Sequence, residues 1–165
     1  MRISVIHGPN LNLLGVREPE IYGDLSLAQL NDQLRQHVRQ LNAQTGKSVK
    51  PVKINFAQSN CEGELIDMLH YAGHYGRKEG DGIIFNAAAY THYSYALRDA
   101  IAALEVPVVE VHLSNPDERE EFRKVNVMRD VCVTHFQGKG VQSYIDAIDY
   151  LIERRFDCLE EAAEK

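Results

Sequence analysis

Five short runs of apolar, largely β-branched residues recur along the chain, and between and after them lie stretches whose apolar residues return every three or four positions. "RISVIH" (residues 2–7) reads as a buried strand closed by Gly-Pro. Strands follow at 52–58 ("VKINFAQ"), 82–86 ("GIIFN"), 106–113 ("VPVVEVHL") and 130–136 ("DVCVTHF"). The first helix is capped by Ser26 and carries Leu27, Leu30, Leu34, Val38 and Leu41 on one face, with Gly46 as its stop. Asn60 caps a second helix bearing Leu65, Ile66, Leu69 and Ala72. Helices at 93–104 and 141–156 complete the pattern.

Strands alternating with helices require right-handed crossovers, hence a parallel sheet with helices on both faces. The expected fold is α/β, a flavodoxin-like, doubly wound, five-stranded parallel sheet. With 165 residues and no linker, repeat or low-complexity tract, residues 1–165 are expected to make one domain. In such sheets ligands bind beyond the carboxyl ends of the strands, where strand order reverses.

Composition narrows the partners. A net charge of −6 argues against nucleic acid, which needs a basic patch. No apolar run reaches the ~18 residues of a membrane span, and the opening run breaks at Gly-Pro too early for a signal peptide. Cys61, Cys132 and Cys158 are scattered and odd in number, as in a reducing cytoplasm.

Polar residues gather after the strands. Asn10, Arg17 and Tyr22 follow the first; Gln58, Ser59 and Asn60 the second; Asn86, Thr91, His92 and Ser94 the third; Ser114, Asn115, Arg119 and Arg123 the fourth. Glycine-rich phosphate loops and a G-x-S-x-G elbow are missing, and "GKG" (138–140) reads as a turn into the last helix. His70 and His74 have helical spacing for a metal, but no third ligand accompanies them. Glu110 and His112 stand two apart on a strand and share a face, so the carboxylate can orient the imidazole for proton transfer; the plainer reading is a polar pair at the sheet edge. The loop at about 8–24 is long enough to fold over a site as a lid. A tyrosine base needs its pKa lowered by about three units from ~10, on the order of 4 kcal/mol. An arginine nearby acts in that direction. On spacing alone, Tyr22 reads as a loop aromatic packed on the surface.

"GPNLNLLGVREPEIYG", "QSNCEGELID", "NAAAYTHYSYALRDA", "EVHLSN" and "REEFR", in that order, resemble the type II 3-dehydroquinate dehydratases from residue 1 to about 150. The resemblance implies dehydration of 3-dehydroquinate to 3-dehydroshikimate through an enolate, in the shikimate or quinate route, with neither metal nor organic cofactor. It also implies a cytoplasmic homo-oligomer, a dodecamer built as a tetramer of trimers. By it Tyr22 is the base, Arg17 its activator, and Asn10 holds a water at the enolate. His112, oriented by Glu110, protonates the departing hydroxyl. Asn86, His92, Leu113, Ser114 and Arg123 bind substrate, and Asp99 reaches a neighbouring subunit's site.

Four positions depart from the usual family residues: His7 for asparagine, Cys61 for histidine, Ala88 for glycine, and Tyr93 for a small residue. The competing expectations are a catalytically silent module binding a small carboxylate and, on fold analogy alone, a flavin-binding electron carrier.

Overall fold

A computed structural model describes residues 1–16, 24–45, 50–75 and 80–163, with the side chains of 75 and 156–163 left aside. β1 (Arg2–His7), β2 (Lys53–Gln58), β3 (Gly82–Asn86), β4 (Val108–Val111) and β5 (Thr134–Phe136) form a parallel sheet. Their order, β2-β1-β3-β4-β5, is the flavodoxin-like one, and the strand order reverses between β1 and β3.

The sheet separates two cores by its period of two. Ile3 and Val5 of β1 and Ile84 of β3 pack under α1 (Leu27–Gln44) and α4 (Val141–Ala163). Ile6, Ile83 and Phe85 pack under α2 (Glu62–His70) and α3 (Tyr95–Ala102). α1 opens with a capping box: the Ser26 hydroxyl accepts from the Gln29 N–H, and the Gln29 side chain accepts from the Ser26 N–H at 2.9 Å. Its buried Leu30, Leu34 and Val38 each contribute about 2 kcal/mol by leaving water.

Several boundaries differ from expectation. Asn60 does not cap α2; its Oδ1 accepts from the Asn10 N–H at 2.9 Å and the Gln58 amide at 3.0 Å. Cys61 occupies the cap position, and its N–H goes to the Ser59 hydroxyl. α3 starts at Tyr95, not 93, because the Ser94 hydroxyl accepts the Leu97 N–H. β4 starts at Val108, not 106, since Pro107 has no N–H to donate, and it ends at Val111, two residues short of Leu113. β5 begins at Thr134, not 130; Asn126 Oδ1 accepts from the N–H groups of Met128 and Arg129, turning the backbone there into a 3-10 helix at Arg129–Val131. α1 ends at Gln44, with Thr45 closing it by donating its hydroxyl to the Leu41 carbonyl at 2.6 Å.

Candidate active site

Gly8 brings the end of β1 against β3. Its N–H donates to the Asn86 carbonyl at 2.7 Å, and a Cβ there would stand 2.8 Å from the Ala87 carbonyl. Only glycine permits this approach. The chain then turns left-handed at Asn10 (φ 65°), which the Asn60 side chain holds by its N–H. The result is a cleft of about 90 Å³ beyond the strand ends at the β1/β3 switch point.

Asn10, Asn86, His92, His112, Leu113, Ser114 and Arg123 all line this cleft. Glu110 lies behind it, and its Oε1 meets His112 Nε2 at 2.9 Å. Asp99 does not reach it; its side chain is 78% exposed on α3, 3.7 Å from Arg98. Arg17 and Tyr22 lie outside the described residues. Leu14, three residues before Arg17, lines the cleft.

Glu110 is almost wholly buried at the end of β4. Burial alone pushes its pKa up, but hydrogen bonds and charge from His112, with further bonds from Thr91 and Asn126, bring it down to about 2. The Asn126 amide donates at 2.9 Å to both carboxylate oxygens. An ionised Glu110 only accepts, so His112 carries its hydrogen on Nε2, and Nδ1 is the nitrogen available to a ligand.

His92 donates Nδ1–H to the Val125 carbonyl at 2.7 Å. Burial holds its pKa below the ordinary value, with the Arg123 and His112 charges acting the same way against the Val125 hydrogen bond and Glu110. Its free Nε2 is therefore an acceptor suited to a hydroxyl. The carbonyls of Leu113 and Ser114 are taken by Gly140 N–H (2.9 Å) and Gly138 N–H (3.2 Å) of the "GKG" turn. What this pair offers the cleft is N–H groups and the Ser114 hydroxyl. Arg123 lies over the Phe122 ring and is held by Glu120 at 2.6 Å; Arg119, also lining the cleft, stands 3.5 Å from the same carboxylate. Two guanidinium groups at one mouth suit a carboxylate ligand. Among the described residues no cluster of three or more His, Cys, Asp or Glu could hold a metal, and no helix is long and apolar enough to cross a membrane.

The sequence sets Asn60, Thr91 and Arg119 among the polar residues after the strands without a role in the site for any of them, and does not single out Asn126. Arg119 carried a usable signal, four residues before Arg123 on the same segment. Thr91 and Asn126 act on Glu110 from 19 and 16 positions away, which no local pattern encodes.

Ala88 adopts φ +50° beside Asn86, whose Oδ1 accepts its N–H. A side chain in that region costs about 1–2 kcal/mol. Ala88→Gly is expected to raise stability by about 0.5–1 kcal/mol after the entropy of the unfolded chain is counted. An unchanged or lower urea midpoint would show that the turn is unstrained.

Two buried groups tie stability to pH. Burial lowers the pKa of His7 to about 4, against the opposing hydrogen bond to Asn31. A neutral histidine in the fold and an ordinary one in the unfolded chain leave stability intact above pH ~6.5, with about 3 kcal/mol lost as pH falls to ~4. Glu110 contributes about 3 kcal/mol of stability that is present above pH ~4.5 and lost as pH falls to ~2. Urea unfolding across this range is expected to show the first loss in the intact chain and not in His7→Phe. A flat profile between pH ~6.5 and ~4 would contradict the burial of a neutral His7.

Fold and cleft together define an acid–base, small-molecule site at the switch point of a flavodoxin-like sheet. The sequence profile described as "Dehydroquinase class II" matches residues 1–152. A protein of Carboxydothermus hydrogenoformans named 3-dehydroquinate dehydratase is 50% identical over 162 residues, covering 95% of this chain and 96% of that one. One of the same name from Pelotomaculum thermopropionicum is 47% identical over 148 residues, covering 90% and 94%. The crystal structure of a type II dehydroquinase from Butyrivibrio crossotus superposes with a TM-score of 0.82 at 43% identity, over 92% of this chain and 97% of that one. The chain belongs to the class II dehydroquinase family.

Proposed function

We propose that this chain is a hydro-lyase that dehydrates 3-dehydroquinate to 3-dehydroshikimate through an enolate. The observation that carries this reading is the Glu110–His112 pair, a buried ionised carboxylate 2.9 Å from an imidazole at the wall of a cleft that also holds two arginines. Such a pair is a proton donor for a leaving hydroxyl. A site that only bound a carboxylate would have no need of it.

Tyr22 is the base that removes the proton beside the ketone, and the Arg17 charge favours its phenolate. Both follow Leu14, which lines the cleft, in the stretch at about 8–24 that we assign as a lid. Asn10 holds a water that hydrogen-bonds the enolate oxygen. His112, as an imidazolium balanced by Glu110, gives the Nδ1 proton to the departing hydroxide and ends neutral. Asn86, His92, the Leu113 and Ser114 N–H groups, the Ser114 hydroxyl and Arg123 bind the substrate's hydroxyls and carboxylate. None of these steps calls on a metal or organic cofactor. The reaction belongs to the shikimate or quinate route and runs in the cytoplasm, in keeping with the scattered cysteines. Proton NMR of 3-dehydroquinate incubated with the protein is expected to show one new vinylic signal. Substrate signals that broaden without conversion would make the chain a binding module.

The active unit on this reading is a homo-oligomer, a tetramer of trimers. Asp99 is exposed and does not line its own cleft, so a role in catalysis places it at a neighbour's. Exposed Tyr93, Tyr95, Phe122 and Val125 around the cleft rim and the start of α3 provide apolar surface for that contact. Light scattering is expected to give a mass many times the 18.7 kDa of the chain. Asp99→Ala is expected to lower activity or assembly about tenfold or more, as loss of a desolvated charge pair does. A fully active monomer contradicts the assembly, and a silent Asp99→Ala in an intact oligomer contradicts the cross-subunit role.

A further inference from the structure

Asn86 enters the cleft from the end of β3, and a line of buried polar groups outside the proposed chemistry fixes its amide. Oδ1 accepts from the Ala88 N–H at 3.1 Å, and Nδ2 meets the Tyr144 hydroxyl at 2.8 Å. Tyr144, on α4, is fully buried, and its hydroxyl also stands 3.2 Å from His7 Nδ1. His7 Nε2 lies 2.9 Å from Oδ1 of Asn31 on α1.

One backbone group sets the direction of every hydrogen in this line. The Ala88 N–H can only donate, so the Asn86 atom facing it is oxygen. The Asn86 nitrogen therefore faces Tyr144 and donates to its oxygen. The Tyr144 hydrogen then goes to its remaining partner, His7 Nδ1, which must carry none. His7 keeps its hydrogen on Nε2 and donates it to Asn31. Burial favours this neutral imidazole, with a pKa lowered to about 4. A protonated Nδ1 would leave the buried Tyr144 O–H without an acceptor.

We propose that His7 and Tyr144 are positioning residues for substrate binding: through the Tyr144 hydroxyl they hold the Asn86 amide so that its second N–H faces an oxygen of the substrate. The proposal rests on the reading that Asn86 binds substrate in this cleft. Without the Tyr144 hydroxyl, Ala88 anchors one side of the amide only, and the broad terminal torsion lets it swing.

The test is steady-state kinetics on 3-dehydroquinate with Asn86→Ala, Tyr144→Phe, His7→Phe and the double variant His7→Phe/Tyr144→Phe. Asn86→Ala is expected to raise KM about tenfold. Tyr144→Phe and His7→Phe are each expected to raise KM about three- to tenfold with kcat within about twofold. The double variant is expected to match Tyr144→Phe alone, since His7 acts through that hydroxyl. A merely structural role would lower the active fraction and Tm and leave KM in place, which overturns the proposal. A raised KM in Asn86→Ala with an ordinary KM in Tyr144→Phe overturns the relay and leaves the binding role standing. An ordinary KM in Asn86→Ala removes the binding role itself. Imidazole ¹⁵N shifts of the unmutated enzyme provide a check without variants. At neutral pH His7 is expected to be uncharged with its hydrogen on Nε2; a hydrogen on Nδ1 overturns the proposal.

Discussion

Tyr22→Phe is expected to lower kcat by about a thousandfold or more while substrate-analogue affinity stays within a few-fold of the unmutated enzyme. On the proposed mechanism the phenolate oxygen takes the proton, and phenylalanine removes that oxygen while keeping the ring. Glu110 does not substitute for the phenolate, because the carboxylate is held behind the wall by His112, Thr91 and Asn126. Arg17→Ala is expected to lower kcat severely as well, since on the proposed mechanism the arginine charge favours the phenolate. An effect of Arg17→Ala on KM alone would make it a binding residue, and near-normal turnover in Tyr22→Phe would remove the base assignment.

Glu110→Gln is expected to lower kcat about a hundredfold or more with little change in KM. Glutamine preserves the shape and still accepts from His112 Nε2–H through its oxygen. It cannot balance an imidazolium, and its NH₂ meets the Asn126 amide donor head-on. The site then keeps its form and loses the charge that supports proton donation. His112→Ala is expected to cost more, since the donor itself is gone. Wild-type kcat in Glu110→Gln, with the protein folded, would mean the carboxylate is only structural.

The sheet was legible because its signal is local. β1 matches residues 2–7 and β3 matches 82–86, and these continuous apolar runs carry both faces of a buried parallel strand. Boundaries failed where a distant or side-chain partner decides them: Ser94 delays α3, Pro107 shortens β4, and the Asn126 amide replaces the start of β5 with a turn. The site divides in the same way. Glu110 and His112 could be paired from their spacing, since two positions along a strand share a face. Asn60 has the residue type and place of a helix cap before an apolar run. Its oxygen instead holds Asn10 across 50 positions of sequence. Tyr144, 58 positions from Asn86, gave no sign of its role, because a tyrosine on an amphipathic helix reads as core. Arg17 and Tyr22 take their roles from the family resemblance, and both lie outside the described residues.

Dehydration is read most directly from the ultraviolet absorbance of a conjugated enone after purified protein is mixed with 3-dehydroquinate. A steady rise in absorbance is expected that continues through many turnovers and is nearly lost in Tyr22→Phe. No rise with the folded, assembled protein would contradict dehydration, and an equal rise in Tyr22→Phe would contradict the chemistry assigned to the cleft.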